Sequence, residues 1–216
     1  MEKSSKSVTL VLGGARSGKS FYAQELAGAC ERVSFIATGR ATDAEMRRKI
    51  ARHRRERPAW WKTVEAPVKL AEAIRRESEE TDVIIVDCLT VYVANVMAGA
   101  RKKANINFEE CIGGVCEALR DSKASVIAVS NEVGSGVVPP YRSGRIYRDL
   151  LGQMNRRVAE IADRVVLMIA GVPLTVKDCG ISQRGDVLFQ GAAAAESSRS
   201  ANGGRKRVAR VHETLR

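Results

Sequence analysis

The sequence lacks any long hydrophobic run. A helix that spans a membrane needs about 18 or more consecutive apolar residues, and no segment of this chain approaches that length. We therefore expect no membrane span. Residues 1–7, with the sequence MEKSSKS, also lack the apolar centre of a secretion signal, which favours a cytoplasmic protein.

Cysteine spacings typical of zinc sites are also missing. The chain has five cysteines, an odd number, and the one close pair, Cys111 and Cys116, has no second Cys or His pair to complete a zinc site. In a protein expected in the cytoplasm, this composition favours free thiols. We predict that most of them are buried as small apolar side chains.

Aromatic residues are scarce at 5%, whereas basic residues are abundant and give a net charge of +11. Such a charge suits the phosphates of nucleic acids and of small nucleotides alike. The scarcity of aromatic residues and the lack of RNA-recognition and helix-turn-helix signatures argue against nucleic acid as a partner. A hydrophobic content of 44% over 216 residues predicts one globular domain with a core.

One glycine-rich segment lies in a specific context. Residues 13–20 follow the pattern G-x-x-x-x-G-K-S, directly after the apolar segment 8–12 and before a predicted helix at 21–30. A strand, a loop of this pattern and a helix form the P-loop that binds nucleotide phosphates. We predict that Lys19 binds the β- and γ-phosphates and that Ser20 binds Mg²⁺. The whole loop is expected to line the phosphates: Gly13, Gly14, Ala15, Arg16, Ser17, Gly18, Lys19 and Ser20.

Predicted strands and helices alternate along the rest of the chain. Further strands are predicted at 32–37, 82–87, 125–130 and 164–169, and helices at 42–57, 67–78, 91–99, 108–121 and 145–161. This alternation predicts an α/β fold of the P-loop type, with a mainly parallel sheet and helices on both faces. The expected domain spans residues 8–180, between a flexible N-terminus at 1–7 and a basic, low-complexity tail at 181–216 that we expect to be disordered.

An acidic residue, Asp87, ends the apolar strand predicted at 82–87. A carboxylate at the carboxyl end of a buried strand beside a P-loop is typical of the Walker-B position, which binds Mg²⁺ directly or through water. The alternative is that Asp87 caps the helix that follows. Because the P-loop is present, we favour the metal role.

The helix predicted at 42–57 combines a histidine with unusual basic charge. Nine Lys or Arg residues and only three acidic residues lie between positions 40 and 62. Helical periodicity places one stripe of this helix towards the protein body: Met46, Ile50, His53 and Arg57.

His53 has two interpretations. A histidine on an inward helix face is most often a packed core residue. Here, however, Arg52, Arg54 and Arg55 flank it, and nearby positive charge favours the neutral ring. A neutral imidazole can attack phosphorus while guanidinium groups bind the phosphate oxygens. The residues alone leave both interpretations open.

Many short motifs occur in the order of a known family. In chain order they are Gly13 to Ser20, Ile36-Ala37-Thr38, Glu45-Met46, Ile50-x-x-His53-Arg54-x-x-Arg57-Pro58-x-x-Trp61, Asp87-Cys88-Leu89-Thr90, Asn95, Asn131 to Pro139, Arg145 to Asn155, Ala162-Asp163 and Ala170 to Lys177. Over residues 8–177 the chain resembles the bifunctional adenosylcobinamide kinase/adenosylcobinamide-phosphate guanylyltransferase family.

The resemblance implies two reactions of cobalamin nucleotide-loop assembly. ATP or GTP phosphorylates the aminopropanol hydroxyl of adenosylcobinamide, and GTP then guanylylates a histidine that passes GMP to the new phosphate. The family's histidine corresponds to His53. The implied nucleotide contacts outside the P-loop are Ala37, Thr38, Gly39, Arg54, Arg55, Glu56, Arg57, Glu65 and Asp87.

The resemblance also implies a P-loop sheet and a homotrimer. The family often has Glu at the position of Asp87, so this chain keeps the carboxylate but shortens the side chain by one methylene. The segment after Lys177 exceeds the family's usual length.

Two other functions fit parts of the pattern. A simple P-loop small-molecule kinase would use Lys19, Ser20 and Asp87 but would give His53 and its arginines no role. A nucleic-acid-binding P-loop protein would use the basic charge and the basic tail, and its affinity would fall steeply with salt.

Overall fold

The structure is a computed structural model that describes residues 6–28, 30–40, 44–55, 57–102 and 107–180. All of these residues belong to one compact unit. The predictions for residues 1–5, for the start of a helix at 42–43, for Glu56 and for the tail at 181–216 fall outside the described residues, so they stay predictions.

The described residues form seven strands and six helices. The strands are β1 (Val8–Gly13), β2 (Val33–Ala37), β3 (Lys62–Glu65), β4 (Val83–Asp87), β5 (Ser125–Val129), β6 (Arg164–Ile169) and β7 (Val172–Asp178). The helices are α1 (Lys19–Ala27), α2 (Ala44–Arg55), α3 (Leu70–Glu77), α4 (Leu89–Lys102), α5 (Phe108–Arg120) and α6 (Arg142–Ile161). None of the described helices is long and apolar enough to cross a membrane.

The strands form a single sheet in the order β3-β2-β4-β5-β1-β6-β7. The first six strands along the chain are mutually parallel, and β7 pairs antiparallel with β6. This confirms the predicted α/β fold with a mainly parallel sheet. The carboxyl ends of the parallel strands therefore meet at one edge, here called the carboxyl edge, where ligands bind in open α/β sheets.

Alternate residues of the strands pack against helices on opposite faces of the sheet. Leu10, Ile84 and Val126 belong to a large core with helices α3 to α6. Their neighbours, including Val11 and Ile85, belong to a second core with α1. Because side chains alternate along a strand and both sets are buried, the strand sequences are apolar without interruption.

Two strands were not predicted from the sequence. β3 has the sequence KTVE, with three of its four residues exposed, so it lacks the apolar run expected of a strand. β7 is an edge strand that contains Pro173 and exposes six of its seven residues, and proline is tolerated there because an edge N–H is not needed for pairing.

Two further expectations need correction. Helices α4 and α6 begin at Leu89 and Arg142, two and three residues before the predicted starts. All five cysteines are free, as predicted, but Cys116 alone is buried and Cys179 is exposed, so the expectation that most are buried is wrong.

Candidate functional site

The P-loop lies at the carboxyl edge, between β1 and α1. Gly18 directly precedes α1 and has a φ of 92°, a left-handed conformation that glycine adopts without strain. A Cβ at Gly13 would lie 2.5 Å from the carbonyl oxygen of Met168, so a side chain there would collide with β6. The backbone N–H of Gly171 donates to the carbonyl of Ser17 at 3.2 Å. The loop is therefore held against the β6–β7 turn.

Lys19 is the first residue of α1, and its side chain is buried. Its Nζ donates to the carbonyl oxygen of Gly14 at 2.5 Å and to Oγ of Ser17 at 3.3 Å. The ammonium group therefore lies inside the arc of the P-loop. Gly14, Ala15 and Arg16 are exposed, so the first half of the loop is open to solvent.

Ser20 and Asp87 are both half-buried at the carboxyl edge. Ser20 lies in the first turn of α1, which packs against β4, and Asp87 is the last residue of β4. Mg²⁺ prefers oxygen ligands and is usually bound by one or two carboxylates together with substrate phosphates. A hydroxyl and a carboxylate of this kind fit Mg²⁺ bound with a nucleotide. In the part of the chain that the structure describes, no cluster of three or more His, Cys, Asp or Glu could hold a metal.

Thr38 supports the segment that carries Asp87. Its backbone N–H donates to the Asp87 carbonyl at 3.1 Å, and its Oγ1 donates to the Cys88 carbonyl at 2.7 Å and accepts from the Cys88 N–H at 2.9 Å. Thr38 is fully buried, and its hydroxyl is used in holding the backbone of Cys88, the residue after Asp87. The neighbouring Ala37 and Gly39 are half-buried at the end of β2.

The carboxyl end of α2 lies next to β2 and β3 at the same edge. Arg54 donates to Oε1 of Glu65 at 2.9 Å, and both side chains are more than half exposed. The Arg57 guanidinium lies 3.7 Å from the centre of the Phe35 ring, a cation–π arrangement. Arg55 is exposed. Three of the residues expected to contact the nucleotide, Arg54, Arg57 and Glu65, thus lie together at this edge.

Arg57 is also linked electrostatically to Asp87. Burial lowers the pKa of the Arg57 guanidinium, the Asp87 carboxylate opposes that shift, and Arg54 adds to it. An arginine remains charged at neutral pH despite such a shift. The metal-binding carboxylate predicted on β4 and the basic end of α2 therefore belong to one electrostatic group.

The backbone of His53 lies in the last turn of α2, next to Arg54. The side chains of Met46, Ile50, Arg52 and His53 and the whole of Glu56 fall outside the described residues. The predicted inward stripe of this helix therefore stays a prediction.

Three supports of the site were not predicted from the sequence. Phe35 lies under Arg57, Gly171 donates to the P-loop, and the Thr90 hydroxyl accepts from the N–H of Asn131 at 2.7 Å. Gly171 follows a predicted strand, and a glycine there signals a turn. Phe35 contacts Arg57 and Thr90 contacts Asn131, and each pair joins segments that are distant in the sequence. Such contacts have no local sequence signal.

Comparison with solved structures supports the fold assignment. The structure matches a prototypical ATPase from the type III secretion system of pathogenic bacteria with a TM-score of 0.50 and 10% sequence identity. The match covers 90% of this chain, whereas this chain spans 63% of the length of the ATPase. At this identity the likeness shows the fold alone.

Comparison with known sequences identifies the family. The sequence profile of the cobinamide kinase / cobinamide phosphate guanyltransferase family matches residues 9–176. The bifunctional adenosylcobalamin biosynthesis protein CobP of Pseudomonas aeruginosa is 41% identical over 169 residues, which cover 78% of this chain and 96% of the relative. The bifunctional protein CobU of Escherichia coli is 37% identical over 180 residues, 78% of this chain and 98% of the relative. The chain is therefore a transferase that belongs to the cobinamide kinase / cobinamide phosphate guanyltransferase family.

Proposed function

We propose that this chain performs two successive transfers on adenosylcobinamide. The first phosphorylates the hydroxyl of the aminopropanol arm with ATP or GTP. The second transfers GMP from GTP to that phosphate through a guanylylated histidine and yields adenosyl-GDP-cobinamide. The observation that carries the proposal is the meeting of three elements at one sheet edge: the P-loop, the Asp87 carboxylate and the basic end of α2.

The P-loop residues serve the phosphoryl transfer. Lys19 is already buried against the loop carbonyl of Gly14, so a bound triphosphate meets a positioned ammonium group. Fixed charges of this kind stabilise the charge that develops on the transferred group. Ser20 and Asp87 would hold Mg²⁺, which supplies neutralisation of the phosphate charge when bound.

The α2 residues serve the guanylyl transfer. A ring nitrogen of His53 attacks the α-phosphorus of GTP, the bond to the bridging oxygen breaks, and pyrophosphate leaves with the electron pair. An oxygen of adenosylcobinamide phosphate then attacks the same phosphorus and releases the histidine. Arg54, Arg55 and Arg57 surround this end of the helix with positive charge, which favours a neutral ring and binds phosphate oxygens.

Labelling with α-labelled GTP tests this proposal. Label should remain on the denatured protein, and the bond should be labile in acid and stable in alkali, as expected of phosphorus bound to histidine nitrogen. His53→Ala should carry no label but should still phosphorylate adenosylcobinamide, because that step relies on the P-loop. His212→Ala is the matched control and should label normally. Acid-labile label on His53→Ala, or none on the wild type, would overturn the two-step mechanism.

We further propose that the enzyme assembles as a homotrimer. The proposal rests on the family resemblance alone, and light scattering on the purified full-length chain tests it. A monomeric mass at working concentration would contradict it.

A further inference from the structure

A groove lies between α4 and α6. Its volume is about 380 Å³, and six described residues line it: Ala94, Met97, Ala98, Ser143, Gly144 and Tyr147. None of these six side chains is charged, and the lining is mostly apolar with the hydroxyls of Ser143 and Tyr147. Small-molecule sites commonly combine an apolar lining with a few polar groups in this way.

The walls of the groove are bonded to segments at the carboxyl edge that carries the nucleotide site. Asn95, next to Ala94 on α4, donates to the carbonyls of Thr38 and Pro67 at 2.8 and 2.9 Å. Thr38 directly follows β2, and Pro67 lies two residues after the end of β3. On the opposite wall, the hydroxyl of Tyr147 donates to the Thr90 carbonyl at 3.1 Å, three residues after Asp87. Both walls of the groove are therefore tied to the strand ends of the edge that carries the predicted metal carboxylate.

The loop between β5 and α6, residues 130–141, links the P-loop to the groove. The N–H of Glu132 donates to the Gly13 carbonyl at 3.0 Å, which joins the start of the loop to the P-loop. The end of the loop packs against the groove wall, because a Cβ at Gly144 would lie 2.7 Å from Cβ of Pro139. The last part of the loop exposes large apolar side chains.

The exposed side chains form what we call the apolar ridge: Val137, Val138 and Tyr141, which are 95%, 58% and 77% exposed. An exposed apolar patch on a soluble domain often marks a binding site. Two carbonyls at the end of the loop, those of Pro139 and Pro140, accept from Arg145 at 3.1 and 2.7 Å. These bonds hold the ridge at the first turn of α6, beside the groove.

We propose that the groove and the apolar ridge bind the corrin part of adenosylcobinamide. This inference rests on the proposed function and deepens it. The acceptor hydroxyl must reach the phosphoryl group beside Lys19. The bulky part of the substrate must therefore lie no farther from the carboxyl edge than the length of the aminopropanol arm. The corrin rim carries methyl groups and uncharged amides, which match an apolar, uncharged lining. The groove is smaller than the macrocycle, so it takes one side of the ring while the ridge packs against the remainder.

Equilibrium dialysis of adenosylcobinamide against the full-length protein tests the inference, with the corrin absorbance as readout and no nucleotide present. Ala98→Trp fills the groove. Tyr141→Ala truncates the ridge, and because this side chain is exposed, we expect the fold to be kept. Each should weaken binding at least about tenfold, the loss expected when a large apolar contact is removed. Arg120→Trp adds the same indole to the exposed end of α5 and should bind like the wild type.

The outcomes separate the two proposals. Unchanged affinity of Tyr141→Ala and Ala98→Trp, or no corrinoid binding by the wild type, would overturn the corrin site. A change in oligomeric mass of these variants, with corrinoid affinity retained, would make the groove an interface between copies of the chain and would also overturn it. Guanylylation of the wild type by GTP alone needs no corrinoid. A failure of this labelling would therefore count against the proposed function, whereas the dialysis experiment would still test corrinoid binding.

Discussion

The P-loop is held by buried backbone contacts, whereas the carboxyl end of α2 is held by side chains nearer the surface. On the P-loop side, residues 13–20, the Gly13 and Ser17 carbonyls are bonded to neighbouring loops and Lys19 is buried. On the α2 side, residues 54–65, an exposed Arg54–Glu65 pair and the stacking of Arg57 on Phe35 make the contacts.

These contacts differ in strength. An exposed ion pair contributes about 0–1 kcal/mol and a partly exposed cation–π contact about 1 kcal/mol. A glycine loop pressed against a strand, in contrast, cannot change shape without breaking the packing around it. The P-loop is thus held in place by its packing and backbone bonds, while the groups proposed for guanylyl transfer are attached by contacts that cost little to displace. Substitutions on the P-loop side should slow both reactions, because both use a triphosphate, whereas substitutions on the α2 side should slow guanylyl transfer more than phosphorylation.

The largest effect is expected on the P-loop side. Lys19→Ala removes the buried ammonium, and both reactions should slow by about 10²–10³-fold or more, since both use a triphosphate. Phosphorylation and guanylylation rates with saturating nucleotide measure this. Lys69→Ala, an exposed lysine paired with Glu72, is the matched control and should leave both rates unchanged. Near-normal turnover of Lys19→Ala would break the P-loop assignment.

A buried carboxylate, in contrast, anchors strand β3 beneath the α2 side. Glu77 is fully buried and bonds Ser34 of β2 and Lys62 of β3 at 2.8 Å, and Arg76 at 2.9 Å. Glu77→Gln should destabilise the fold by about 2 kcal/mol, because positive partners lose their buried counter-charge. Urea unfolding measures this, and Glu80→Gln, an exposed partner of the same Lys62, should cost far less. Equal losses would show that burial of Glu77 is energetically unimportant.

The Glu77 contribution should also depend on pH. Burial alone would raise the pKa of Glu77, but hydrogen bonds from Lys62, Ser34 and Arg76 outweigh it and hold the pKa below its ordinary value of 4.5. The stabilisation is therefore present above that value and is lost as the pH falls through the lower folded pKa. The stability gap between wild type and Glu77→Gln should shrink under acid. A gap that widens under acid would contradict the assignment.

A smaller, reaction-specific effect is expected at Arg57. Lysine keeps the charge but loses the planar group that stacks on Phe35. Arg57→Lys should slow guanylylation about tenfold, or about 1.4 kcal/mol, and should slow phosphorylation less. Arg47→Lys, at an exposed position of α2, is the control. Equal slowing of both reactions would place Arg57 functionally on the P-loop side.

The P-loop side could be predicted in detail, because its signal is local. An apolar run, eight consecutive loop residues and a helix specify the element, and Lys19 is found where the motif requires it. The strand that ends at Asp87 was equally clear, since a strand buried on both faces is apolar throughout.

The α2 side was harder to predict, because its geometry depends on contacts between distant segments. β3 is polar and exposed, so no pattern reveals the strand that presents Glu65. The stacking of Arg57 on Phe35 joins residues 22 positions apart. The groove requires α4 and α6 to pack side by side at the carboxyl edge, which periodicity within either helix does not specify.

The smallest effect is expected beyond both sides of the site. The family profile ends at residue 176, and the Cys179 N–H donates to the Asp163 carbonyl at 2.9 Å, so the chain is tied to the sheet as far as that residue. Deleting residues 181–216 should therefore change unfolding free energy by no more than about 0.5 kcal/mol and leave both rates intact. Deletion from Val172 is the contrasting variant, because it also removes β7, which pairs with β6 behind the P-loop, and it should destabilise the fold strongly. If the shorter deletion lowers either rate or the melting temperature, the tail contributes to the activity or to the stability of the domain.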